Sequence, residues 1–331
     1  MPEEAVKTGK KPAPPSFLER YVLGNLMHYC NGSNEKPDKP LLVTISVSHF
    51  CERARWALDL SPLWDDYMED SHAPGMHMPQ TNRLTDFQNT STPMMKLPGT
   101  NQLIEGSDEI LKYLAETYPE CGFLYPHGHE IEILEWEHLF ADTIGVLDRK
   151  WAYTHLLCMA DEDDQKRLTE MNGPFMAQSG GTLERVLFGM AWPVIGKQIK
   201  RQFKLSKEKE AELVQQLDEI MDKVNRALAD GREYLVGDRF TAADLTFASL
   251  AYPFLAPPEM GDVSPCPTIG GKRYLEDLLQ GPLKLYMERV EGWQATPAGK
   301  LALRVYRNHR FSVKGDVRAG EMVRLSRNSE W

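Results

Sequence analysis

The segment that most constrains the fold is residues 41–60, where a strand feeds directly into a helix. Leu41-Leu42-Val43-Thr44-Ile45-Ser46-Val47 is a β-branched run of strand length ending at Ser48. From His49 to Leu60 the pattern turns helical, with Phe50, Ala54, Ala57 and Leu58 on one face and Glu52, Arg53 and Arg55 on the others. Pro62 closes the helix, and the acidic stretch from Asp65 to Asp70 flanks an expected second strand. Ser71 to Asn89 reads as a long polar connection carrying His72, His77 and Arg83. Met94-Met95-Lys96-Leu97 after Pro93 is a short strand, Gly99 to Gln102 a turn, and Leu103-Ile104 its partner; Ser107 to Thr117 is a helix with Ile110, Leu111 and Leu114 inward. A strand, a helix, a strand, a hairpin and a last helix make a small mixed α/β sheet over residues 41–126.

No strand pattern follows. Ile133, Trp136, Phe140, Ile144, Leu147 and Trp151 recur at intervals of three or four, and a helix is expected from about Ser206 to Asp230, with Gly231 as its left-handed cap. Residues 127–331 are therefore expected to form an all-α domain with a C-terminal extension; 172–200, rich in Gly with Pro174 and Pro193, gives no clear pattern. Residues 1–40 read as an extension: a Lys- and Pro-rich start, a short helix from Ser16, and a linker from Asn31 to Pro40. A length of 331 residues suits two domains, each with its own core.

A net charge of -10 argues against a surface that tracks phosphates, so no nucleic acid is expected as a partner. Five cysteines, at 30, 51, 121, 158 and 266, form no C-x-x-C pair and fit neither a disulfide framework nor a zinc knuckle. No run approaches the roughly 18 apolar residues of a membrane span, and no signal-type stretch opens the sequence, which gives the cytosol as the expected location. The sequons at Asn31 and Asn89 are accordingly taken as chance matches. His127, His129 and His138 lack a carboxylate or cysteine at ligand spacing, so no metal is expected.

Three places carry candidate chemistry. Ser48-His49-Phe50-Cys51 lies at the strand-to-helix junction, where free amides and the helix dipole favour negative charge. Ser48 as N-cap could donate its hydroxyl to a bound thiolate, and Cys51 could itself carry a lowered pKa; equally, Ser48 is a plain cap and Cys51 a small buried residue. Thr92-Pro93 suggests a cis bond before a strand, turning backbone toward an open edge where a peptide could pair. Glu105-Gly106-Ser107-Asp108 precedes a helix whose first amides and Ser107 form a carboxylate site, or in which Ser107 is an ordinary N-cap.

In this order and spacing, these features resemble the N-terminal domain of the glutathione transferase family. The resemblance implies that Ser48 occupies the position facing the glutathione sulfur, that Thr92 before Pro93 bonds the cysteinyl backbone, and that Ser107 belongs to an acid-Ser pair for the γ-glutamyl group, with the acid one place early at Glu105 and Gly106 between. Ser48-His49-Phe50-Cys51-Glu52-Arg53-Ala54-Arg55-Trp56-Ala57-Leu58 also looks like a bacterial and plant-type branch of that family. Tyr234 to Leu245 resembles the family's late signature, with Thr241 capping a buried helix, Asp244 returning a hydrogen bond, and Phe240 and Leu245 as a staple. The resemblance implies a thioredoxin-like first domain with an all-helical second domain, and glutathione as co-substrate. It further implies a homodimer and a small hydrophobic electrophile held by the first helices of the second domain, which carry Trp136, Phe140, Trp151 and Tyr153, most of them expected as core packing. Three functions follow: a transferase using Ser48, a thiol-disulfide oxidoreductase using Cys51, and a binding module without turnover.

Overall fold

The computed structural model describes residues 38–159, 173, 176, 177, 182–260, 284–310 and 325–326. The N-terminal extension with its helix, Cys30, Cys266 and the first sequon lie outside the described residues.

The buried run at the start becomes β1 (Leu41–Ile45), followed by α1 (His49–Asp59) and β2 (Met68–His72). Then come α2 (Met78–Leu84), β3 (Met94–Lys96), β4 (Leu103–Glu105) and α3 (Ser107–Thr117). β1 pairs in parallel with β2, Leu41 opposite Met68, and antiparallel with β3, which in turn pairs antiparallel with β4. The sheet order is β4-β3-β1-β2, extended beyond β2 by the two-residue β5 (Leu325–Ser326). The parallel pair requires a crossover, which α1 supplies, and the antiparallel pair requires only the tight turn at 99–102. This is the thioredoxin-like α/β arrangement expected.

Among the described residues the second part consists, apart from β5, of the helices α4 (Glu130–Asp142), α5 (Ile144–Cys158), α6 (Thr182–Phe203), α7 (Glu210–Ala227), α8 (Ala242–Leu255), α9 (Lys284–Ala295) and α10 (Pro297–Val305) with their connections. The wider-wound turn Tyr306–Arg310 follows. α8 is the hub: thirteen of its fourteen residues are buried, and it packs on α1, α4, α5 and α10. Its start is the expected capping box. The Thr241 hydroxyl accepts from the Ala243 amide at 3.3 Å, and Asp244 accepts from the Thr241 amide at 3.1 Å and the Leu235 amide at 2.8 Å. Phe240 and Leu245 are both buried around it.

Several expectations change. Glu52, Arg53 and Arg55 do not sit on solvated faces of α1: all three are at most 1% exposed, because the sheet and α3 cover one side of the helix while α8 and the Tyr306–Arg310 turn cover the other. Their charges are answered within the protein, Arg55 by Glu69 at 2.5 Å and Glu52 by Arg310 at 2.5 Å, while Arg310 also binds Asp59 at 2.7 Å. Glu69 and Asp70 lie inside β2 rather than flanking it, and the connection 71–89 contains the end of β2 and all of α2. The long period from Ile133 to Trp151 is two helices, broken at Thr143 with φ -113° and ψ -79°. α7 stops at Ala227, three residues before Asp230, and Gly231 adopts φ +86° beyond the helix end, its amide bonding the Leu228 carbonyl. The stretch that gave no pattern belongs in large part to α6, a 22-residue helix with Pro193 inside it.

Candidate functional site

Ser48 caps α1 from an extended backbone, its hydroxyl oxygen accepting from the Cys51 amide at 3.3 Å. That bond uses a lone pair; the O–H remains to donate, and the Ser48 and Thr92 side chains both hydrogen-bond toward the Cys51 thiol, opposing the effect of its burial. Ser48 lines a cleft of about 810 Å³ between the sheet end of the first part and the helices of the second. Thr92, Met76 and Phe50 line it from one side, and Tyr153, Ile195 and Tyr252 from the other. A hydroxyl donor thus stands at the N-terminus of an 11-residue helix, open to a mostly apolar space, where a developing thiolate gains from both the hydrogen bond and the dipole.

The two flanking residues fix this junction to the second part. His49 Nε2 lies 2.8 Å from the Gly145 carbonyl, and burial holds its imidazole down at a pKa of about 4. Phe50 packs so closely on α5 that a Cβ at Gly145 would stand 2.4 Å from Phe50 Cζ, so a side chain there would push the ring aside. The Tyr252 hydroxyl donates to the Val47 carbonyl at 3.0 Å.

Cys51 lies apart from this space. It is fully buried, lines neither cavity described here, and its Sγ accepts from the Ile45 amide at 3.4 Å. Burial pushes the Cys51 thiol up, against the lowering influence of Arg55. A reactive cysteine needs exposure and a lowered pKa, and Cys51 has neither. Cys121 and Cys158 are also free thiols.

A second cavity of about 250 Å³ shares Phe50 and Thr92 with the first and is lined by Ser107, Asp108, Arg53 and Glu137. Thr92-Pro93 is cis, and the Pro93 carbonyl accepts from the Gly106 amide at 3.0 Å. Gly106, not Ser107, is the N-cap of α3; Ser107 is the first helical residue, with no side-chain cap on the helix, so its amides face this cavity's end of the helix unspent. Arg53 donates to the Ser107 hydroxyl at 3.5 Å and to Glu137, whose carboxylate also accepts from Tyr125 at 3.0 Å and Thr246 at 3.2 Å. Arg53 Nε is buried without a hydrogen-bond partner. A donor-rich pocket of this kind suits a carboxylate.

Glu105 lies elsewhere: it is exposed, accepts from Asn89 Nδ2 at 2.5 Å and lines neither cavity. Three acids line the small cavity, Asp108, Glu137 and Asp142, and the first of them explains the glycine before Ser107. At φ +99° a side chain at position 106 is strained, and its Cβ would fall 2.8 Å from Asp108 Oδ1. Sequence reasoning missed Asp108, Arg53 and Glu137. Asp108 was legible as an acid in the first turn of an expected helix, whereas the pairing of Arg53 with Glu137 spans 84 positions and leaves no local trace. Of the aromatic residues expected around an acceptor, Tyr153 lines the large cleft, whereas Phe140 and Trp151 are buried core and Trp136 stacks on Phe140. Among the described residues no group of three or more His, Cys, Asp or Glu side chains comes together as a metal site; His138 lines the small cavity, and His127 is exposed beside Glu130.

Comparison with known proteins returns one family twice. The family model for the glutathione S-transferase N-terminal domain matches residues 42–122, and that for the C-terminal domain matches residues 207–287. No curated protein matches the chain. Among solved structures, a glutathione transferase from poplar is 15% identical with a TM-score of 0.44, covering 82% of this chain and 100% of that one. One from Phanerochaete chrysosporium is 16% identical with a TM-score of 0.46, covering 77% and 97%. A glutathione transferase family member from Pseudomonas fluorescens with two glutathione bound is 14% identical with a TM-score of 0.45, covering 84% and 97%.

Proposed function

Because the chain belongs to the glutathione S-transferase family, carrying both of its domains, we propose that it binds glutathione on residues 41–126 and transfers its thiolate to a hydrophobic electrophile held against the helices of 127–331. The γ-glutamyl carboxylate takes the amides of α3 and the Ser107 hydroxyl, and Asp108 stands where the γ-glutamyl amine needs a carboxylate. Thr92, shared by both cavities, meets the cysteinyl backbone beside Pro93. Ser48 donates to the sulfur, keeping it ionised; the sulfur attacks the electrophilic carbon, and the leaving group departs with its bonding pair into the large cleft.

The observation that carries this reading is the contrast at the head of α1: a capping hydroxyl open to an 810 Å³ cleft, and three residues on a thiol sealed in the core. The same contrast counts against disulfide exchange through Cys51. The test is conjugation of glutathione to chlorodinitrobenzene together with the ultraviolet absorbance of the bound thiolate. Ser48→Ala is expected to abolish the thiolate signal and most of the rate, while Cys51→Ala keeps both; the reverse result overturns the assignment. A binding module without turnover finds support in Gly106, which stands where the family has an acid. Glutathione binding that is millimolar or weaker, with no transfer, would favour that second reading.

A further inference from the structure

The larger cleft contains a cation with no carboxylate beside it among the described lining residues. No aspartate, glutamate or lysine occurs among its described lining residues, and burial holds both of its histidines, His49 and His77, at pKa values of about 4, so they are neutral near pH 7. Arg149 on α5 is the one fixed charge in that lining. Its guanidinium sits over the Phe203 ring, 4.8 Å from the centroid, and its Nε is buried with no hydrogen-bond partner. The neighbouring Asp148 is fully buried and does not line the cleft; burial raises its carboxyl well above the ordinary range, while the Arg149 charge pulls it back down. A guanidinium Nε buried in an apolar space without an acceptor is costly, and an incoming oxyanion relieves that cost through a two-pronged, charge-assisted hydrogen bond.

We propose that this cleft selects acceptors with an apolar body and an oxyanion, a carboxylate or sulfonate, and that Arg149 is the residue that pairs with it. The proposal rests on the reading that the cleft is the acceptor side of the site. The volume suits a molecule of one or two rings, and the aromatic and aliphatic lining takes the body while Arg149 fixes its orientation.

Two dyes that differ in one group test it on the full chain without glutathione: anilinonaphthalene sulfonate and the uncharged phenylnaphthylamine, titrated by fluorescence into the wild type, Arg149→Met and Arg149→Lys. The sulfonate is expected to bind the Met variant about tenfold more weakly or worse, and the Lys variant in between, with the uncharged dye shifting by less than about twofold in all three. The uncharged dye also reports that the cleft is still formed. Unchanged sulfonate affinity in Arg149→Met overturns the proposal, as does equal loss of both dyes. A loss confined to glutathione affinity also overturns it, because the guanidinium would then serve a carboxylate of the tripeptide. Since no thiol transfer enters the readout, absent conjugation activity would sink the transferase reading and leave this one standing or falling by itself.

Discussion

Three of the described helices, α1, α8 and α10, begin with a hydroxyl cap, and the first two use it in opposite ways. At α8, Thr241 and Asp244 satisfy each other's backbone and that of Leu235 inside a fully buried box. At α1, Ser48 makes one bond to the Cys51 amide and turns the rest of its hydroxyl to an open cleft. The same residue class at the same helical position is structural where every donor and acceptor is consumed, and available for chemistry where one is left over.

The largest expected effect comes from breaking the closed box. Asp244→Ala strips the acceptor from the Leu235 amide, the Thr241 amide and the Thr241 hydroxyl, all buried, and is expected to cost about 3 kcal/mol or more in urea unfolding. The protein that remains folded keeps its rate per molecule. Next is the open cap: Ser48→Ala is expected to lower kcat/KM for conjugation by about 100-fold, with only about 1 kcal/mol lost in stability. A stability loss as large as that of Asp244→Ala, with an unchanged rate, would erase the distinction between the two caps.

Acid sharpens the same contrast. Burial depresses the His49 pKa from 6.5 to about 4 beside Ser48, so the stability it contributes is fully present above about 6.5 and is lost as the pH falls through about 4. Unfolding titrated across that window should show a decline that flattens in His49→Gln. At the end of β2, His72 behaves with the opposite sign. Burial lowers its pKa, but the carboxylates of Asp70 and Glu184 outweigh that and raise it to about 10. Its contribution to holding α6 on β2 is complete below about 6.5 and is lost as the pH rises through about 10, measurable as amide exchange in α6. The smallest effect is expected from Cys51→Ala, a change of less than about threefold in kcat/KM, with a core-truncation cost of about 1 kcal/mol.

Much of the fold was legible because its signals are local. The β-branched run at 41–47, the hairpin around 99–102 and the box at 241–244 each carry their instruction within a few residues, and each forms as expected. What escaped was non-local. Arg53 and Arg55 look solvated by helical spacing, yet their partners are Glu137 and Glu69, brought in by other elements. α6 was unreadable because its Pro193 and glycines carry weak helix propensity, and its docking rests on Glu184 meeting His72 across 112 positions. In the site, Ser48, Thr92, Pro93 and Ser107 line the two cavities. Glu105 does not, because a strand end directs it to Asn89, and the acid nearest it in sequence that lines a cavity, Asp108, is the second residue of a helix rather than one that precedes it.

The pairing of Arg310 with Glu52 and Asp59 has a consequence for how the chain is made. These contacts join residues 258 and 251 positions apart, and both carboxylates belong to the helix that Ser48 begins. At roughly 5–20 residues per second, the ribosome delivers Arg310 on the order of tens of seconds after α1 has emerged. Until then Glu52 has Arg55 at 3.6 Å and Asp59 has the Tyr67 hydroxyl at 2.8 Å, but the guanidinium that joins the two carboxylates is missing. A nascent chain released before residue 310 therefore carries α1 without its last ion pairs, and the half that is translated first completes its charge pairing last.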